Sequence, residues 1–293
     1  MALPMPELPG VTHHDVNVGG VRLHVAEAGE GPPILLQHGW PQHWWVWRRL
    51  IGPLAAEHRV ICPDLRGFGW SEAPPGRYDK ETLAGDLIGV LDALELEQVQ
   101  LVGHDWGGFT GFLACLRAPE RFSSFLALSI THPWFSPGPG IPDPRAFLRL
   151  WYQFVVASPF GPALLMRDGL MRRVFASAGE GVFDEQTLGL YVAALGQPAS
   201  ARASQMLYRT FVTSEVPAIL RGRYAGQRLT VPTRLVVGTR DPVLTPDSVR
   251  GYEGHADELS VHWVPDSNHW LPEQRPERVL EELAQLPVIS RAA

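Results

Sequence analysis

Cysteine is nearly absent: Cys62 and Cys115 are the only two in 293 residues. No disulfide framework can hold the fold, and neither cysteine has a second cysteine or a histidine at metal-site spacing. Both read as reduced, buried thiols. A surplus of positive charge is also missing, since 25 Lys and Arg face 31 Asp and Glu for a net charge of -6. That balance argues against a surface built for phosphates and against nucleic-acid binding. No segment approaches the roughly 20 apolar residues of a membrane helix. The opening Met1-Ala2-Leu3-Pro4-Met5-Pro6 has neither a basic start nor an unbroken apolar run. The expectation is a soluble, cytoplasmic protein without membrane contact, without cofactor and without metal.

What is present is apolar and aromatic material: 45% hydrophobic and 10% aromatic residues, enough for one large core, or one core and a modest insertion. Val16, Val18, Val21, Leu23 and Val25 alternate with polar residues around Gly19-Gly20, the pattern of an antiparallel hairpin. Short continuous apolar runs follow at Ile34–Leu36, Val60–Ile61, Val99–Val102 and Phe125–Ile130, as suits strands buried on both faces. From Glu81 to Leu96 the stripe Leu83, Leu87, Val90, Leu91 and Leu94 has helical period. Strand, helix, strand predicts an α/β sheet. The pattern breaks after Thr131 with Pro133, Pro137, Pro139, Pro142 and Pro144 beside Gly138 and Gly140. Helical spacing then runs from Phe147 through Leu150, Trp151, Phe154 and Val155, and onward past Tyr208. Strand texture returns at Thr233–Val237 and Val261–Val264, and a last amphipathic helix follows Pro276. The expected organisation is an α/β core in two parts, 1–132 and 227–293, with a helical lid at 133–226.

The stretch Val99-Gln100-Leu101-Val102-Gly103-His104-Asp105-Trp106-Gly107-Gly108 reads as strand, tight turn, helix. Glycines stand two residues before and two after Asp105, the nucleophile-elbow pattern with Asp where ester hydrolases carry Ser. A larger side chain at Gly103 or Gly107 would clash where strand and helix approach, and the residue between is held outward. The plain alternative is an N-capping Asp at a helix start, which explains neither the paired glycines nor the apolar run before them.

Ile34-Leu35-Leu36-Gln37-His38-Gly39-Trp40-Pro41 again sets a glycine just past a buried strand. With Asp64-Leu65-Arg66-Gly67-Phe68-Gly69-Trp70-Ser71 and the elbow, it resembles the HGxP, D-x-RG-x-G-x-S and GHDWGG segments of α/β-hydrolase-fold epoxide hydrolases. The resemblance covers almost the whole chain and is weakest in the insertion. It implies an oxyanion hole from the backbone N–H groups of Trp40 and Trp106, each such donor being worth about 10²–10³ in rate. It also raises the expectation of a cis Trp40-Pro41 bond. His38 is expected to be a structural hydrogen-bonding residue under the loop.

Leu235-Val236-Val237 runs into Gly238-Thr239-Arg240-Asp241-Pro242, placing an acid at the carboxyl end of a buried strand, where open α/β sheets build their sites. Val261–Val264 leads to Pro265-Asp266-Ser267-Asn268-His269-Trp270. Nucleophile, acid, histidine is the chain order of this fold, which assigns Asp105, Asp241 and His269. Asp266 is the rival acid, three residues from the base and better suited to its own turn.

Serine at an elbow needs a base before it attacks an acyl carbon. An ionised Asp can displace a leaving group at a saturated carbon and become an ester of the protein, leaving His269 to activate water against that ester. The leaving group is then epoxide oxygen or halide. Epoxide oxygen wants a proton donor, and Tyr152 and Tyr208, the latter in a Tyr-Arg pair, resemble the two lid tyrosines of epoxide hydrolases. Tyr191 and Tyr224 are alternatives. Haloalkane dehalogenase is the competing activity, since an indole N–H such as that of Trp106 holds halide in those enzymes, though they commonly carry Asn at the position of Trp40. A binding protein without turnover is a third class, opposed by the intact Asp105, Asp241 and His269. The expected partners are a small hydrophobic epoxide and water, and a homodimer is left open.

Overall fold

The computed structural model describes residues 3–135, 150–179 and 181–287, apart from the side chain of Asp168. Among these, eight strands form one sheet: β1 (Thr12–Val18), β2 (Val21–Ala28), β3 (Pro33–Gln37), β4 (Arg59–Pro63), β5 (Val99–His104), β6 (Phe122–Leu128), β7 (Thr233–Gly238) and β8 (Leu259–Val264). Their spatial order is β1-β2-β4-β3-β5-β6-β7-β8. The expected hairpin is β1 and β2, joined across Gly19-Gly20, and β2 is also antiparallel to β4. From β4 to β8 every pairing is parallel. β5 is buried throughout and β3 from Ile34 onward, with Ile34, Leu35, Leu36, Val99, Leu101 and Val102 wholly covered, as suits central strands covered on both faces.

Helices α1 (Arg48–Ala55), α2 (Lys80–Ala93) and α3 (Trp106–Arg117) connect the first strands. Two boundaries differ from the periodicity. α2 stops at Ala93 instead of reaching Leu96, because Glu95 turns to φ 55 and the Leu96 N–H bonds back to the Leu91 carbonyl. β6 likewise ends at Leu128, where Ser129 takes φ 48. The aromatic run Trp44–Trp47 forms a single 3₁₀ turn whose Trp44 and Trp47 rings are wholly buried.

Between β6 and β7 the described residues form helices and turns, with helices at Trp151–Ala157, Gly161–Leu165, Asp168–Ser177, Glu185–Leu195, Pro198–Thr210 and Val216–Leu220. Pro137, Gly138, Pro139, Gly140, Pro142, Pro144 and Phe147 lie outside the described residues. Apolar side chains of these helices, among them Val156, Leu165, Met171 and Leu207, join the same buried cluster as Trp40, Trp106 and Phe109 beside the sheet. Cys62 and Cys115 are buried free thiols. Among the described residues no helix is long and apolar enough to cross a membrane, and no three His, Cys, Asp or Glu gather as a metal cluster.

Candidate active site

Asp105 is presented by its backbone. β5 ends at His104 and α3 begins at Trp106, and the residue between adopts φ 52 and ψ −127, a conformation costing a non-glycine residue on the order of 1–3 kcal/mol. Main-chain bonds hold it there: its N–H donates to the Leu128 carbonyl at 3.0 Å, and its carbonyl accepts from Gly108 at 2.9 Å and Phe109 at 3.1 Å. The carboxylate makes no capping hydrogen bond to α3, so the capping alternative does not describe it. A Cβ on Gly103 would lie 2.6 Å from the Gly107 carbonyl oxygen, and one on Gly107 only 2.2 Å from that of Gln37. Gly39 is equally tight, since a Cβ there would stand 2.5 Å from Asp105 Oδ1.

The two carboxylate oxygens of Asp105 have different surroundings. Oδ1 accepts the Trp40 backbone N–H at 2.9 Å, and Oδ2 faces His269 Nε2 at 3.4 Å. On the far side of the ring, His269 Nδ1 donates to Asp241 Oδ2 at 2.9 Å. Asp241 Oδ1 accepts the N–H groups of Val243 (2.8 Å) and Leu244 (3.1 Å), which fix the carboxylate just past β7. The His269 carbonyl is held by His104 Nε2 at 2.9 Å. Burial alone would disfavour the His269 imidazolium, but the Asp241 charge, with Asp105 adding to it, overcomes that and holds the ring's pKa at about 10. Asp266 lies elsewhere, exposed and paired with Arg240.

The Trp40-Pro41 peptide is cis. The Trp106 N–H belongs to the first turn of α3, whose donors have no acceptor within the helix. Beneath the loop, His38 Nδ1 donates to the Gly39 carbonyl at 2.9 Å and its Nε2 accepts from Leu65 N–H at 3.0 Å. Burial lowers its pKa, so it stays neutral. The Asp64 carboxylate accepts the N–H groups of Trp44 and Trp70. The D-x-RG-x-G-x-S segment is thus a hydrogen-bonded frame for the loop.

Tyr152 stacks on the Trp40 indole with parallel rings 5.6 Å apart. Tyr208 is turned edge-on to the same indole at 4.8 Å and to Tyr152 at 5.8 Å. Burial, with the Asp105 charge adding to it, pushes both phenols above their usual pKa, and for Tyr208 the neighbouring Tyr152 contributes as well. Both are neutral donors at pH 7. Tyr191 and Tyr224 are brought to neither: their hydroxyls donate to Glu273 and Glu81 at 2.8 Å each.

A cavity of about 210 Å³ opens over these groups, with Asp105 and His269 at its base and Trp40, Trp151, Tyr152, Val174, Val243 and Trp270 among its walls. Tyr208 is not a lining residue and packs edge-on against Trp40, Trp106 and Tyr152. Sequence reasoning missed three contributors: Trp270 in the wall, His104 behind His269, and Ser204, whose hydroxyl accepts the Trp40 indole N–H at 2.9 Å. Ser204 precedes Tyr208 by one helical turn, a spacing that places both on one face.

Residues 32–276 match the family described as the alpha/beta hydrolase fold. The chain is similar to the soluble epoxide hydrolase of Corynebacterium sp. (strain C12), at 30% identity over 278 residues, 92% of this chain and 95% of that protein. It is also 30% identical to an epoxide hydrolase of Caballeronia sordidicola, across 94% of this chain and 93% of that one. Among solved structures, the epoxide hydrolase CorEH without ligand superposes with a TM-score of 0.84 at 28% identity, covering 94% of this chain and 98% of its own. The chain belongs to the α/β-hydrolase-fold family, as a hydrolase of the branch whose relatives are named epoxide hydrolases.

Proposed function

We propose that this hydrolase converts a small hydrophobic epoxide to a vicinal diol through a covalent ester on Asp105, beneath a helical lid spanning 133–226. The observation that carries the reading is the division of the Asp105 carboxylate, with Oδ1 on the Trp40 N–H and Oδ2 toward His269, in a residue that lines the cavity. Oδ2 attacks an epoxide carbon and the C–O bond breaks onto the ring oxygen. That oxygen takes the phenolic proton of Tyr152, with Tyr208 edge-on to it. The product is an alkyl ester whose carbonyl oxygen already occupies the hole.

Histidine chemistry follows from charge. Between two carboxylates His269 is an imidazolium, with a pKa of about 10, and an imidazolium cannot take a proton from water. Esterification removes the Asp105 charge and one of the two groups that hold the proton on. Once the alkyl ester exists, His269 gives that proton up to the Tyr152 phenolate, which restores the phenol, and only then becomes the base. It takes a proton from water, whose oxygen adds to the ester carbonyl carbon while the Trp40 and Trp106 N–H groups hold the oxyanion. Collapse expels the alkyl oxygen, which leaves as the diol with the proton of the added hydroxyl, and restores the Asp105 carboxylate beside the His269 imidazolium. Asp241 keeps the ring's tautomer and orientation throughout.

One observation favours haloalkane cleavage as a second reading: the buried Trp106 indole N–H, beside the Tyr208 hydroxyl, makes no well-formed hydrogen bond, and a halide would accept it. The paired tyrosines favour the epoxide, since a halide needs no proton.

A single turnover in H₂¹⁸O with enzyme in excess tests the covalent route. Unlabelled diol in the first cycle and label in Asp105 are expected. Label in the diol from the first cycle would make Asp105 a positioning group. In His269→Gln the alkyl ester should accumulate, visible as a mass increase equal to the substrate. Adduct from an alkyl halide but from no epoxide would decide for the second reading.

A further inference from the structure

Lys80 is the first residue of α2, and its side chain has no exposed surface. Both circumstances oppose a cation: burial removes its water, and the helix start is the positive end of the dipole. What offsets them is a set of partners drawn from separate parts of the molecule. Nζ lies 2.9 Å from Glu215 Oε2 and 3.5 Å from the Leu207 carbonyl oxygen. It also sits over the Trp106 ring at 4.2 Å and the Phe211 ring at 4.9 Å, contacts that strengthen when desolvated. Glu215 Oε1 in turn accepts the backbone N–H of Lys80 at 2.7 Å, so one carboxylate holds both ends of the lysine.

The partners on the insertion bracket Tyr208. Leu207 immediately precedes it, and the helix Pro198–Thr210 runs straight into a π-helical turn, Phe211–Glu215, whose last residue is the carboxylate partner. Such turns are rare and recur at functional sites. On the sheet side the ammonium meets the indole of Trp106, the residue after the nucleophile, and the Phe211 ring meets that indole edge-on at 4.6 Å. Stability alone does not call for these charges, because an apolar pair of similar volume commonly serves as well or better.

We infer that Lys80 is a positioning residue, whose buried pair with Glu215 fixes the Tyr208 turn against the Trp106 side of the nucleophile while the leaving oxygen is protonated. Its kinetic consequence rests on the epoxide reading above, whereas the anchoring of residues 207–215 does not.

The test compares the full chain with Lys80→Met/Glu215→Leu, which removes both charges together and leaves the backbone N–H of residue 80 as the group without its acceptor. The thermal midpoint is expected to hold or rise, while amide exchange across 207–215 quickens about tenfold. Ester formation from an epoxide at saturating substrate should slow about tenfold or more, as small misplacements of reacting groups do, with ester hydrolysis unchanged within about twofold. Adding Tyr208→Phe to the double variant should then cost much less than it costs the parent. A double variant with parental exchange at 207–215, or with parental ester formation, overturns the inference. If the parent forms no ester from any epoxide, the epoxide reading fails on its own, and the exchange comparison alone decides the anchoring.

Discussion

The nucleophile side and the tyrosine side of the cavity are built by opposite means. Asp105, Asp241 and His269 stand at the ends of β5, β7 and β8, held by main-chain hydrogen bonds and by glycines with no room for a Cβ. Tyr152 in the first turn of one helix between β6 and β7 and Tyr208 in the last turn of another are held by ring contacts with Trp40 and Trp106. Backbone positioning tolerates almost no volume change, whereas ring packing tolerates loss of a hydroxyl. On the proposed mechanism the bond-making chemistry belongs to the rigid side, and the choice of leaving group belongs to the side that substitution can reshape.

Asp105→Ala presses hardest on that contrast. Turnover of an aryl epoxide should fall by at least about 10⁴-fold with circular dichroism and thermal midpoint close to the parent; substantial residual turnover would remove Asp105 from the chemistry. On the tyrosine side, Tyr152→Phe and Tyr208→Phe together should cost about 10²–10⁴-fold in ester formation, the range of a general acid. Tyr152→Phe should be the more damaging single change, because it lines the cavity and Tyr208 does not. Equal turnover of an alkyl halide by parent and double variant would identify halide as the leaving group.

Gly103→Ala tests the rigid side through packing. The added Cβ meets backbone at 2.6 Å, so a stability loss of about 1–3 kcal/mol should accompany a rate loss of about 10²-fold as Asp105 shifts. Denaturant midpoints and single-turnover rates read both, and a neutral outcome would mean that the elbow yields more easily than its contacts allow.

The pH profile gives the smallest step. In the free enzyme the His269 pKa is raised from 6.5 to about 10. A raised native pKa stabilises the fold fully below about 6.5, and that contribution is lost as pH rises toward about 10. The stability difference between parent and His269→Gln should follow this window in denaturant titrations. Ester hydrolysis, once Asp105 is neutral, should rise about tenfold per pH unit and level off at a pH below the free-enzyme midpoint. Levelling at the same pH would mean that Asp105 contributes nothing to holding the proton.

Legibility in the sequence follows the same divide. The elbow is written within ten consecutive residues, because steric exclusion acts between near neighbours such as Gly103 and Gly107. Asp241 and His269 are readable because a strand's apolar run announces its own end. The ranking of Tyr152 in front of Tyr208 depends instead on how two helices are rolled against Trp40, which periodicity does not encode. Ser204 against Trp40, and Glu215 against Lys80 across a separation of 135 residues, leave no local signal. α2 shows the limit at short range, since its apolar stripe continues to Leu96 although Glu95 turns the backbone out of the helix.

Trp40 joins the two sides through one residue. Its main chain holds Asp105 Oδ1 while its indole N–H is anchored on Ser204 of the insertion. On the proposed mechanism, the donor for the oxyanion is therefore registered against the part of the protein that shapes the cavity. Lengthening or swapping the insertion to admit bulkier molecules would disturb the hydrolytic step along with the fit, unless an acceptor for that indole is rebuilt at the same height. An engineer widening this cavity should accordingly alter Val174 or Val243 first and leave the helix carrying Ser204 in place.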